Sequence, residues 1–465
     1  MANYDVIVIG AGPGGYVAAI RAAQLGKKVA IVDKEFLGGI CLNVGCIPSK
    51  ALLKNAEVAH TLRTKGEEFG FSFTNLKVDY GAAVKRSRQV SERLVKGIDF
   101  LMKKNKIDVI WGTAKLTAKD TVEVTPKKGA AESHKAKDIV IATGATAMSV
   151  PGVEADGKQI LTYWPAILQE TLPKSVVIVG GGAIGLEFAT VWSAYGSQVT
   201  LVEMLDRIAP LEDEEVSKEL AKAMTKNGIN VKTSTKLEKV EKTKSKVKVT
   251  VSGKDGQETI EAEQILLAIG FRPNTADLGL EAAGVKLGQR GEILIDERMA
   301  TNVAGIWAVG DVTAKLMLAH VGSAMGIICA ENIAGVETVT LDYRMMPRAT
   351  YCHPQVASFG FTEAQAKEAG YEVKVSKFNF QANGKALGLA DYGGWVKLVT
   401  DARYGEILGA HMIGPEVTEL LPELTIAQMA ELTAAEIARN VHAHPSLSEV
   451  LMEVAHAAEG EAIHM

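Results

Sequence analysis

Asp5-Val-Ile-Val-Ile-Gly10-Ala-Gly12-Pro-Gly14-Gly15 is the stretch on which the reading of the fold turns. Val6 to Ile9 form a short, continuous apolar run, the pattern of a strand buried on both faces. The run empties into glycines, a helix-like stretch continues to Leu25, and a second apolar strand, Val29 to Val32, ends in Asp33. Each glycine has separate work at such a strand-to-helix turn. Gly10 permits the tight turn, Gly12 lets a pyrophosphate approach the backbone, and Gly15 lets helix and strand pack closely. The free N–H groups and positive dipole end of the helix then face the phosphates, and the acid at the second strand end accepts from a ribose hydroxyl.

The same pattern is written again further on. Val176-Val-Ile-Val179 runs into Gly180-Gly-Gly182-Ala-Ile-Gly185, a helix reaches about Tyr195, and strand Val199 to Val202 ends in Glu203. A single fingerprint is weak evidence, because glycine-rich turns that bind nothing are common. Two copies, each with strand, helix and terminal acid in place, predict two dinucleotide sites in one chain, and FAD with a nicotinamide nucleotide is the pair that fits. A carboxylate at Glu203 repels a 2′-phosphate, and the nearest arginine is Arg207. The expectation is therefore NAD and not NADP.

Further apolar strands ending in glycine occur at Asp138 to Gly144, Ile265 to Gly270 and Gly305 to Gly310, and Tyr80 to Lys104 reads as a helix with its charges on one face. After about Met345 the character changes. Trp395 to Thr400 and Glu406 to Ile413 flank the turn Asp401-Ala-Arg-Tyr-Gly405 as a hairpin, and two helical segments follow. The expected fold is α/β. Two Rossmann-like dinucleotide-binding domains, the second inserted in the first, precede a C-terminal α+β dimerisation domain. The expected limits are 1–150 with 276–344 for the FAD unit, 151–275 for the NAD unit and 345–465 for the interface unit.

Composition agrees with this plan. A chain of 465 residues is too long for one ordinary core. Its 47% hydrophobic and 23% charged residues are usual for a folded protein, and a net charge of −4 with both signs interspersed argues against nucleic acid or an anionic membrane as partner. Neither a signal-peptide pattern nor a bilayer-length apolar run is present, so the chain reads as cytoplasmic. No Cys/His cluster has zinc-like spacing, and no metal is expected.

Only four cysteines occur, Cys41, Cys46, Cys329 and Cys352, too few for a disulfide scaffold. Two of them stand in Gly38-Gly-Ile-Cys41-Leu-Asn-Val-Gly-Cys46-Ile-Pro-Ser-Lys50. The spacing can close a small disulfide at the entrance to a helix. The helix dipole and Lys50 would both favour a thiolate there, which makes the pair chemical in purpose. Cys329 and Cys352 lack such a setting and read as packed core residues.

This segment together with both fingerprints resembles the flavoprotein disulfide reductases, the pyridine nucleotide-disulfide oxidoreductase family, over essentially the whole chain. Within that family the likeness is greatest to members that oxidise the dihydrolipoamide of 2-oxo acid dehydrogenase and glycine-cleavage complexes. The resemblance implies that Gly10, Gly12, Gly15 and Asp33 hold the adenosine half of FAD. Gly144 and Asp311 would complete the flavin site, with Ala319 and His320 in the run that closes over it. Cys46 would face the flavin and Cys41 would exchange with substrate, with Lys50 near the flavin and paired with Glu187. Gly180, Gly182, Gly185, Glu203 and Gly270 would bind NAD. The implied partners are a second copy of the chain and lipoyl domains.

The general base is read from Val441-His442-Ala443-His444-Pro445-Ser446-Leu447-Ser448-Glu449. Pro445 keeps His444 out of a helix. Glu449, in the first turn of the next segment, can orient one ring nitrogen and favour the imidazolium. A thiol substrate needs such a base because the thiolate is the attacking species. His442, two residues away, reads as structural. By the resemblance, the His444–Glu449 dyad serves the cysteines of the other subunit in a homodimer.

Four positions depart from the commonest family pattern: Asp33 in place of glutamate, Gln355 in place of an acid, Ser446 in place of threonine, and a tail ending at His464-Met465 in place of an aromatic one. Three rival readings are weaker. An NADPH-linked reductase of glutathione or a related small disulfide would carry arginines where Glu203 stands. A mercuric-ion or thioredoxin reductase would want a further redox pair near the C-terminus. A non-catalytic scaffold would not need Cys41, Cys46, Lys50, His444 and Glu449 together.

Overall fold

The structure, a computed structural model, describes residues 3–254 and 256–464. Met1 and Met465, the expected limits of the first and last units, lie outside the described residues, as does the departure at Met465.

The chain builds its first sheet around the opening strand, Asn3–Ile9. Parallel neighbours are Val29–Asp33 on one side and the second half of the ten-residue strand Glu132–Ile141 on the other. Asp108–Trp111 extends one edge, and the hairpin Thr113–Ala118 with Thr121–Thr125 pairs antiparallel to the first half of the long strand. The chain leaves this sheet after Ile141 and returns to it at Ile306–Ala308, which lies parallel to Glu132–Ile141. Everything between is an excursion. Helices Pro13–Gln24 and Ala319–Ala334 cover one face, and glycines let them approach closely. A Cβ on Gly326 would stand 2.5 Å from the Gly14 carbonyl oxygen.

The excursion holds a second sheet, all parallel, in the order Asn230–Lys232, Gln198–Val202, Ser175–Val179, Gln264–Leu267, Ile160–Leu161. A separate antiparallel sheet, Lys236–Lys242, Val247–Gly253 and Gly256–Ala262, packs Leu237, Val247, Val249 and Val251 beneath it. Of these three strands only Val247–Gly253 alternates apolar and polar residues in the sequence, and the other two are mostly polar.

The C-terminal unit is a five-stranded antiparallel sheet in the order Arg348–Thr350, Gln355–Gly360, Ile407–Gly414, Trp395–Asp401, Val373–Asn379. Its central hairpin is the expected one. Three helices follow the hairpin where two were expected: Val417–Met429, Ala434–Arg439 and Glu449–Glu459. The short middle helix escapes a periodicity reading because it has only 6 residues and is set by its ends, where Thr433 and Glu436 form a reciprocal capping box. Val396, Leu398, Ala410 and Met412 pack against these helices in a core with Leu421, Leu424, Val450 and Val454.

Among the described residues no helix is long and apolar enough to cross a membrane, and no group of three His, Cys, Asp or Glu side chains could hold a metal ion.

Candidate active site

The two glycine turns are built alike. Gly10 has φ +104° and Gly180 φ +112°, conformations that side-chain-bearing residues rarely adopt. A Cβ on Gly10 would stand 2.3 Å from the Ala142 carbonyl oxygen, and one on Gly180 would stand 2.3 Å from that of Ala268. Gly15 and Gly185 would each bring a Cβ within 1.9 Å of the carbonyl oxygen of the turn's first glycine. Gly12 and Gly182, in contrast, face open space within 4 Å. That is the arrangement a pyrophosphate needs: the outer glycines are filled by protein, and the middle one is left clear.

The acids tie the turns in the same way. Asp33 Oδ2 accepts from Ala11 N at 2.8 Å, and Glu203 Oε2 accepts from Gly181 N at 2.7 Å. The second oxygen of each accepts from the following backbone, Asp33 Oδ1 from Glu35 N and Phe36 N, and Glu203 Oε1 from Leu205 N. These carboxylates therefore shape the loops as well as offering lone pairs outward.

Both turns open on one cavity of about 1610 Å³, which Cys41, Cys46, Lys50, Gly144, Glu187, Gly270, Asp311 and Ala319 also line. Cys46 is the first residue of the 20-residue helix Cys46–Lys65, and Cys41 lies on the short helix Gly39–Val44. Both cysteines are free thiols and lie close together. Their proximity raises the Cys41 thiol, burial pushing the same way, and lowers the Cys46 thiol, with the Lys50 charge assisting. Charge on the pair is thus favoured at Cys46, which opens a helix N-terminus.

Lys50 Nζ sits 2.8 Å from Glu187 Oε1 and 2.9 Å from Oε2. Burial alone would depress its ammonium, and Glu187 more than compensates, holding it above its ordinary value. Tyr351, a residue that the sequence alone does not single out, lies beneath this pair. Its ring centroid is 4.5 Å from Lys50 Nζ and its backbone N–H donates to Glu187 Oε1 at 3.2 Å. Nothing local marks it, since Tyr351 and Lys50 stand three hundred residues apart in the chain. Among the described residues no cation pairs with Asp311, and burial pushes its carboxyl up to about 6. A ligand bearing hydroxyl donors would suit it.

His444 is placed elsewhere. It lies outside any helix, its side chain is 80% exposed, and its Nδ1 is 2.9 Å from Glu449 Oε1. Glu449 opens the helix Glu449–Glu459, and its other oxygen accepts from Ser446 N at 2.8 Å. Neither residue lines the cavity of this copy. His442 is held by Glu423 at 2.9 Å, its side chain almost wholly covered. His320 is exposed, its Nε2 is 2.8 Å from the Pro347 carbonyl oxygen, and it does not line the cavity. Successive residues of a helix point about 100° apart, so the Ala319–Ala334 helix that offers Ala319 to the cavity turns His320 away from it. Cys329 and Cys352 are fully buried, and burial raises both thiols.

Residues 4–326 match the family model of pyridine nucleotide-disulphide oxidoreductases, and residues 346–455 match the model of that family's dimerisation domain. The chain belongs to the pyridine nucleotide-disulphide oxidoreductase family. Proteins named dihydrolipoyl dehydrogenase are similar to this oxidoreductase from end to end. That of Mycobacterium leprae is 53% identical, with 100% of each chain covered. That of Corynebacterium glutamicum is 51% identical, and that of Bacillus subtilis 42% identical, with 99% of each chain covered in both cases. Among solved structures, LpdA of Mycobacterium tuberculosis superimposes with a TM-score of 0.91 at 26% identity, covering 98% of this chain and 99% of that one. The flavoprotein disulfide reductase RclA of Escherichia coli, as its Cu(II) complex, gives 0.88 at 26% identity, covering 98% of this chain and 100% of that one.

Proposed function

We infer that the chain is an NAD-linked flavoenzyme that oxidises protein-bound dihydrolipoamide to lipoamide through the Cys41–Cys46 pair. One observation carries the reading: both glycine turns and both sulfurs open on a single cavity, in a chain similar over its full length to proteins named dihydrolipoyl dehydrogenase. Gly10, Gly12, Gly15 and Asp33 hold the adenosine half of FAD, while Gly144, Asp311, Ala319 and Lys50 line its remainder. Gly180, Gly182, Gly185, Glu203 and Gly270 hold NAD. FAD, when bound, supplies a two-electron carrier between the dithiol and the nicotinamide. The units divide at 1–150 with 276–344, 151–275 and 345–465.

His444 takes the proton of a substrate thiol, oriented by Glu449, which stabilises the imidazolium that forms. The substrate thiolate attacks Cys41 Sγ of the oxidised pair. A substrate–Cys41 bond forms, the Cys41–Cys46 bond breaks, and Cys46 leaves as the thiolate. Its depressed pKa makes it the better leaving group of the two. The second substrate thiolate then displaces Cys41, which departs with a proton, and lipoamide is released with its ring disulfide closed. Lys50, held by Glu187, keeps a positive charge beside the Cys46 thiolate. Because His444 and Glu449 stand away from the cavity of their own copy, the dyad serves the cysteines of a second copy in a homodimer. The match of residues 346–455 to a dimerisation domain supports this, as do the exposed apolar side chains of Ile426, Met429 and Val441 in the same unit. Lipoyl domains of 2-oxo acid dehydrogenase or glycine-cleavage complexes deliver the substrate in the cytoplasm.

NADH formation from dihydrolipoamide tests the reading, with NAD+ and NADP+ supplied separately. The expected result is turnover with NAD+ only, abolished by Cys46→Ser and lowered about 10²-fold or more by His444→Gln. Brisk NADPH oxidation by glutathione disulfide, with no NADH formation, would replace the substrate assigned here.

A further inference from the structure

The second glycine turn is braced from outside by a line of polar side chains on the C-terminal sheet. Arg348 pairs in register with Ser358, Ser358 with His411, His411 with Lys397, and Lys397 with Lys377, one residue from each of the five strands. Residues directly opposed in antiparallel strands share a face, so these five side chains run straight across the sheet. Their apolar neighbours along the strands point the other way, to the three helices.

Against this line lies the acidic run Glu212-Asp213-Glu214-Glu215, which leads into the helix Glu214–Lys226 of the second nucleotide unit. Ser358 Oγ donates to Glu212 Oε2 at 2.5 Å. Lys397 Nζ lies 3.1 Å from Asp213 Oδ2, 2.9 Å from Glu215 Oε2 and 3.7 Å from Glu363 Oε2, and Lys377 adds a second contact to Glu215 at 3.1 Å. The Lys397 side chain is only 4% exposed. A buried ammonium persists only where carboxylates surround it, and without Lys397, Asp213 would lose its ammonium and Glu215 would keep only Lys377.

From the acids the contacts run back to the turn. Glu212 N and Ser217 Oγ donate to the Ala209 carbonyl oxygen, Ala209 N donates to the Gly181 carbonyl oxygen at 2.8 Å, and Gly181 N donates to Glu203 Oε2 at 2.7 Å. The segment between Glu203 and Asp213, whose Met204, Leu205 and Pro210 line the cavity, is thus clamped at one end by the turn and at the other by the sheet.

We propose that Lys397 is a positioning residue for the nicotinamide nucleotide: by locking the acidic run 212–215 onto the C-terminal sheet, it holds segment 204–211 and Glu203 in the shape that receives the adenosine end of NAD. The proposal rests on reading the second turn as the NAD site. The test is calorimetric titration of the oxidised holoenzyme with NAD+, alongside hydrogen exchange of the backbone amides of 204–213. Lys397→Met should weaken NAD+ binding about tenfold, the equivalent of 1.4 kcal/mol, and unprotect those amides. Lys397→Arg, which keeps the charge, should restore both. Flavin reduction by dihydrolipoamide, which needs no NAD+, should proceed in Lys397→Met at the wild-type rate. Should Lys397→Met fail to fold, Glu215→Gln removes part of the clamp at a half-exposed position and should give a smaller loss of affinity in the same direction. Unchanged NAD+ affinity in a folded variant overturns the proposal, as does a parallel loss of NAD+ affinity and flavin reduction. Failure of the wild-type holoenzyme to bind NAD+ would instead overturn the reading of the second turn itself.

Discussion

Asp311 holds a carboxyl that burial pushes up to about 6 in the ligand-free chain, against an ordinary value near 4. The folded state therefore binds its proton more tightly than the unfolded state does, and stability from this group is full in acid and lost as pH rises through the folded value. In the apoprotein Asp311→Asn should be stabilising, with a melting-temperature advantage over wild type that grows from pH 4 to pH 6 and levels off above. The gain is on the order of 3 kcal/mol at most, since each tenfold difference in proton affinity between folded and unfolded chain is worth about 1.36 kcal/mol. The same variant should retain flavin less well, because the carboxylate that burdens the empty site is an acceptor for hydroxyl groups in the filled one. Apoprotein melts between pH 4 and 8 check the first point, and flavin release on dilution checks the second. Asp311 was legible as a site residue only through resemblance. Its burial depends on strand Ile306–Ala308 joining a sheet begun three hundred residues earlier, which no local pattern records.

The strand-turn-helix elements are where sequence and structure meet most closely, because every constraint is local. Gly10, Gly12 and Gly15 each do within five residues what their spacing predicts, and Gly180, Gly182 and Gly185 repeat it. The two turns can therefore be disabled one at a time. Gly12→Ala adds a methyl to open space in the protein and should leave the fold intact while emptying the flavin site. Gly182→Ala should leave the flavin bound and weaken NAD+ selectively. Gly15→Ala forces a Cβ to 1.9 Å from a backbone oxygen and should destabilise the chain itself. Flavin absorbance, NAD+ titration and thermal melting separate the three outcomes. The elements that escaped the sequence were those set by distant partners. The outer strands Lys236–Lys242 and Gly256–Ala262 are mostly polar and read as solvated chain. The polar line on the C-terminal sheet depends on register between strands, with Lys397 and Asp213 separated by 184 positions.

At the scale of the whole molecule, the separation of His444 from the cavity makes a prediction about stoichiometry. Co-expressed Cys46→Ser and His444→Gln chains, each inactive alone, should form mixed dimers with one intact site, and random pairing gives about a quarter of wild-type activity. No recovery would mean that each copy works with its own histidine. That His444 serves a second copy is an expectation that only the resemblance supplies, since a single sequence does not show which chain a side chain reaches. The return of the chain to its first sheet at Ile306–Ala308 also fixes a timetable for biosynthesis. The first glycine turn leaves the ribosome some three hundred residues before the strand Ile306–Ala308 that completes its sheet, and Asp311 follows that strand directly. The inserted unit has all five of its parallel strands by residue 267, so it has the means to fold while the older part of the chain still waits. Its brace at Lys397 comes later, and the base at His444 later still. Translation therefore completes the first glycine turn and Asp311 before Lys397, and Lys397 before His444. A nascent chain on this schedule has its first glycine turn and Asp311 in place before His444 has been made.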